Sequence, residues 1–74
     1  MAPLRPLSYR EVRRRLVAVG FSEASRRGSH VKFVKRDARG VRTAIVPSHR
    51  EIALGTLRSI LRQAGLTSDE FEGL

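Results

Sequence analysis

The spacing of apolar residues along this 74-residue chain changes twice, and the changes set a block of strands between helices. Val12, Leu16 and Val19 recur at i, i+4 and i+7, one face of a helix. Ser8 suits the N-cap, and Glu11 stands three residues later at capping-box spacing. Leu7 and Val12 then occupy the two positions of a hydrophobic staple. Gly20 can take the left-handed conformation that ends a helix, with Phe21 folding back on Leu16. The pattern predicts a helix over about 8–19.

From Phe21 onward the period shortens to two. Residues 21–26 read as a weak strand, polar enough to lie at an edge. Arg27-Gly28 supplies a tight turn, and residues 29–35 form a stronger strand with β-branched and aromatic side chains. Asp37-Ala38-Arg39-Gly40 has turn chemistry. Residues 41–46 make a third strand, which Pro47 stops because it has no N–H for a ladder. These three strands should form an antiparallel meander.

Residues 48–53 connect to a second helix over about 54–64, where Leu57, Ile60, Leu61 and Ala64 form the apolar stripe. Gly65 and Leu66 repeat the ending seen at Gly20 and Phe21. Thr67 and Glu70 make a second capping box, with Leu66 and Phe71 as its staple, and predict a short helix over about 68–72. The result is one α+β domain spanning 1–74, of order α-β-β-β-α with a final helical turn. Its economical packing is a three-stranded antiparallel sheet with helices on one face, the arrangement of double-stranded-RNA-binding domains. Fold alone does not assign function.

Strand alternation decides what the second strand presents. With Val31 and Phe33 turned to the core, His30, Lys32 and Val34 face the open side. The stretch Arg26-Arg27-Gly28-Ser29-His30-Val31-Lys32-Phe33 therefore gathers a glycine turn, a hydroxyl, an exposed imidazole and flanking cations.

Charge sharpens that observation. Fifteen Lys and Arg against seven Asp and Glu leave +8, a balance that favours a polyanionic partner, most simply nucleic acid. There are no cysteines and two histidines, so neither a disulfide framework nor a dedicated zinc site is expected. No apolar run approaches membrane-spanning length. Met1–Pro6 is too short and proline-rich for a signal peptide, so the expected setting is the cytoplasm. A chain this small buries only about 60% of its unfolded surface, which leaves a modest core.

Histidine titrates near pH 6.5 and can take or give a proton at neutral pH. In RNA cleavage it can deprotonate the 2′-hydroxyl or protonate the leaving 5′-oxygen. Cations beside it stabilise charge developing on the phosphate. His30 is thus the candidate catalytic residue, with Arg26, Arg27, Gly28, Ser29 and Lys32 as candidate RNA contacts. His49 is a further candidate, either a second acid/base group or a loop residue. Gly28-Ser29 also reads as an ordinary hairpin turn. Gly55-Thr56 reads as a phosphate-binding helix start or as a plain helix-initiating turn. Arg10, Arg13 and Arg14 share one side of the first helix, as a phosphate-contacting ridge or as its solvated face.

Several of these segments together resemble one family. Gly28-Ser29-His30-Val31-Lys32-Phe33 is similar to the Gly-Ser-His-x-x-Phe motif of the HicA (YcfA-like) toxins, and Val46-Pro47-Ser48-His49 to their Val-Pro-x-His segment. Leu54 to Leu66 resembles their C-terminal helix, and the opening Leu7–Val12 and the Gly20-Phe21 step also fit. The resemblance covers about residues 6–72. It implies an mRNA interferase of a toxin–antitoxin pair, which cuts mRNA with no required metal or other cofactor and is masked by a HicB antitoxin. The family's catalytic histidine maps onto His30. Two other readings stay open at this stage: a non-catalytic RNA-binding module of the same shape, and an interaction protein whose basic surface docks an acidic partner.

Overall fold

A computed structural model describes residues 4–74; Met1–Pro3, half of the segment judged too short for a signal peptide, lie outside it. The elements are α1 (Tyr9–Ala18), β1 (Ser22–Arg27), β2 (His30–Asp37), β3 (Gly40–Pro47), α2 (Leu54–Ala64) and α3 (Ser68–Glu72). The strands form one antiparallel sheet in the order β1-β2-β3. Val31, Phe33, Ala44 and Val46 from the sheet are fully buried together with Val12 and Leu16 of α1, Leu57, Ile60 and Ala64 of α2, and Phe71 of α3. The expected α+β meander with helices on one face is the observed fold.

Both long helices end as their glycines predict. The Phe21 N–H donates to Leu16 O at 3.0 Å, and the Leu66 N–H to Leu61 O at 3.0 Å. Each bond adds a second donor to a carbonyl that already accepts from the cap N–H, and so closes the last turn. Gly65 has φ 72°, and a Cβ there would stand 3.3 Å from Arg42 Nε. A side chain at this position is therefore opposed by backbone strain and by the packed arginine together.

Local boundaries correct the sequence reading in two places. The first hairpin turn is Gly28-Ser29 and not Arg27-Gly28: Arg27 ends β1 by pairing with His30, and Ser29 leaves the second strand for the loop. At α1 only half of the capping box forms. The Glu11 N–H donates to Ser8 Oγ at 3.1 Å, but the Glu11 carboxylate accepts from Arg14 Nη2 at 2.6 Å and Arg15 Nε at 2.7 Å. Two guanidinium donors outcompete one backbone N–H because charge-assisted bonds are the stronger. At α3, with no arginine so placed, both halves of the Thr67–Glu70 box are made.

Arg15 also ties α1 to α3. Its guanidinium donates to Phe71 O at 3.3 Å, lies 4.9 Å from the Phe71 ring centroid and approaches Glu72 at 3.7 Å. Leu7 and Ile52 meet in an isolated antiparallel bridge, with the Ile52 N–H donating to Leu7 O at 2.6 Å. That bridge clamps the chain before α1 against the connection before α2. Among the described residues no helix is long and apolar enough to cross a membrane.

Two outcomes follow. Phe33→Ala should lose about 3–5 kcal/mol of stability in urea unfolding, whereas His30→Ala, an exposed change on the same strand, should stay within about 0.5 kcal/mol of wild type. Glu11 supplies an acid-sensitive contribution. Hydrogen bonds from Arg14 and then Arg15 lower its pKa from 4.5 to about 2. The folded-state value lies below the unfolded one, so the contribution is full above pH 4.5 and fades as pH falls towards 2. The Tm gap between wild type and Glu11→Gln should narrow across that window and close below it.

Candidate active site

β2 separates its side chains by parity. Val31 and Phe33 are fully buried, while His30 and Lys32 are exposed on the opposite face. Directly paired residues of antiparallel strands share a face. His30 is opposite Arg27 on β1 and Pro47 on β3. Lys32 is opposite Ser25 and Ile45. Arg27, His30 and Lys32 therefore stand together on the open face, with Lys32 about 7 Å along the strand from His30.

A register irregularity in β1 sets this arrangement. Glu23 pairs with Phe33 and Ser25 with Lys32, so Ala24 is the extra residue of a bulge. Residues on either side of it consequently face opposite ways. Arg27 is brought beside His30, and Arg26, opposite Val31, is turned to the helix side. There Arg26 donates through Nη1 to Gly28 O at 3.3 Å and to Ser48 Oγ at 3.1 Å. The Ser48 N–H in turn donates to Ser29 O at 2.6 Å. These bonds fasten the Gly28-Ser29 turn to the chain leaving β3.

Gly28 has φ 58° at the first position of the two-residue loop, the position where a type II′ hairpin takes glycine. Its missing Cβ would meet nothing within 4 Å, so the backbone conformation and not crowding favours glycine, and the space above it is open. Ser29 is exposed, as is His49. The His49 carbonyl accepts from the Tyr9 N–H at 3.3 Å, which brings the start of α1 to the same end of the sheet.

Tyr9 and Ser48 join the site without having been singled out from the sequence. The Tyr9 ring lies 6.4 Å from that of Phe33. Burial, with the Glu23 carboxylate second, raises the Tyr9 pKa; Arg26 and Arg13 oppose the rise. Its phenol therefore keeps its proton and remains a donor. The Val-Pro-Ser-His segment carried a signal for Ser48, but Tyr9 reaches the site through tertiary pairing, by the Leu7–Ile52 bridge and the bond from its N–H to His49 O. Gly55-Thr56 opens α2 with Ala53 as an N-cap that makes no side-chain bond. Among the described residues no three His, Cys, Asp or Glu side chains come together as a metal site.

The role of Gly28 is testable. Gly28→Ala should destabilise the protein by about 1–2 kcal/mol, because an L side chain is strained at this positive φ, whereas Ser29→Ala, an exposed change at the loop position without positive φ, should stay within about 0.5 kcal/mol. Thermal melts of the two variants check this order.

Comparison with known proteins adds one positive result. A family model described as HicA toxin of bacterial toxin-antitoxin matches residues 9–66, a span that runs from the start of α1 past the end of α2. No curated protein matches the chain.

Proposed function

Since the chain belongs to the HicA toxin family of bacterial toxin–antitoxin systems, we propose that it is a cytoplasmic endoribonuclease that cleaves mRNA with His30 as general acid/base. A HicB-like antitoxin restrains it by covering the face that carries His30. The observation that most supports this reading is the exposed His30 between Arg27 and Lys32 on a face the helices leave open.

The chemistry follows from those groups. An imidazole at the scissile phosphate takes the proton of the 2′-hydroxyl. The 2′-oxygen then bonds to phosphorus as the bond to the 5′-oxygen breaks, leaving a cyclic phosphate and a 5′-oxygen that takes a proton from water. In the alternative role, water takes the 2′-hydroxyl proton and protonated His30 gives the leaving 5′-oxygen its proton. Either transfer is worth typically 10²–10⁴-fold. Arg27 and Lys32 stabilise the charge that builds on the phosphate oxygens. Arg26 acts from behind by holding the Gly28-Ser29 turn, whose exposed Ser29 hydroxyl can bond a phosphate oxygen. His49 lies at the same end of the sheet, within reach of a flanking nucleotide. No metal or other cofactor enters this scheme.

Purified protein should cut mRNA equally with and without chelator. His30→Ala should lower the cleavage rate about 10²–10⁴-fold while keeping the wild-type melting temperature. A folded His30→Ala protein that cleaves at the wild-type rate would remove His30 from the reaction. RNA that is bound but left intact by wild type would instead indicate a non-catalytic binding module.

A further inference from the structure

α1 carries four arginines, and three of them are neutralised. Arg14 and Arg15 bond Glu11, and Arg13 approaches Glu23 at 3.9 Å. Arg10 has no carboxylate within 4 Å among the described residues, and neither does Arg50. These two unpaired cations line the same hollow. It is a shallow, open hollow of about 460 Å³, completed by Ser8, Tyr9, Ser48 and His49. It lies between the start of α1 and the chain leaving β3. Ser48 joins it to the His30 hairpin, through the bond from its N–H to Ser29 O and the bond its hydroxyl accepts from Arg26.

We propose that this hollow is a nucleotide subsite, which holds the residue of a single-stranded RNA next to the cleaved bond. The inference rests on the reading of the protein as an RNA-cleaving toxin. Arg10 and Arg50 take the flanking phosphate. The Ser48 hydroxyl accepts from Arg26 through its oxygen, so its proton is free for an anion. Tyr9 and His49 offer ring surface to a base, and ring–base contact is sequence-tolerant. The RNA then runs round the end of the sheet, from the His30 face past Pro47 and Ser48 to the helix side. A duplex would not follow that bend, so the subsite selects unpaired RNA.

Binding of a short, fluorescent, single-stranded RNA with 2′-O-methyl groups, which cannot be cleaved, tests the proposal by anisotropy across a salt series. Arg10→Ala/Arg50→Ala should bind about tenfold more weakly, as expected for loss of a charge-assisted phosphate contact. The slope of log affinity against log salt should fall by about 0.7, the value for one single-strand phosphate. Arg39→Ala/Arg62→Ala removes equal charge at the β2–β3 turn and the last turn of α2, and should lose less affinity with little change of slope. Equal behaviour of the two double variants overturns the subsite and leaves the His30 reading standing. A wild-type chain that neither binds nor cleaves RNA overturns both.

Discussion

A one-residue slip of β2 would bury His30 and Lys32 and expose Val31 and Phe33. Side chains alternate strictly along a strand, so register decides at once what the core contains and what the surface offers. The two-residue loop at Gly28-Ser29 fixes that register by pairing Arg27 with His30. The zero exposure of Val31 and Phe33 then holds it, since a slip would exchange two apolar side chains for two ionisable ones in the core. Stability and the proposed chemistry therefore depend on the same strand, while different residues carry them.

The cations divide in a similar way. Glu11, Glu23 and Glu72 engage Arg13, Arg14 and Arg15, and this network joins α1 to α3 and to the edge strand. Arg26 is held by a carbonyl and a hydroxyl, so its charge stays uncompensated while its position is set. Arg27, Lys32, Arg10 and Arg50 have no carboxylate partner among the described residues. They cluster at the end of the sheet where β2 begins and β3 leaves. Part of the net charge of +8 is thus gathered at the candidate site, while other cations without a carboxylate partner, Arg39 and Arg62 among them, lie elsewhere on the described surface.

Features set by local spacing were legible in the sequence. The glycine endings at Gly20 and Gly65, the Thr67–Glu70 box and the parity of His30 against Phe33 all depend on neighbours within a few residues. Features set by tertiary pairing were not. The bulge at Ala24 reverses the parity set from Phe21, so that Arg27 rather than Arg26 shares the His30 face, although both read simply as flanking cations. The Leu7–Ile52 bridge brings Tyr9 to His49 across forty residues of sequence. Glu11 left its expected cap because Arg14 and Arg15 compete for its carboxylate, and only the folded helix brings all three together. The family match over residues 9–66 agrees with the resemblance carried by the Gly-Ser-His and Val-Pro-Ser-His segments.

The central claim is that the open face of β2 meets the scissile phosphate of RNA through His30. The most direct measurement is a proton NMR titration of the two histidine ring signals, assigned with His30→Ala and His49→Ala, against an uncleavable 2′-O-methyl RNA. The His30 signal should move in proportion to the RNA bound. A His30 signal that stays still while the RNA binds elsewhere on the protein would contradict the claim.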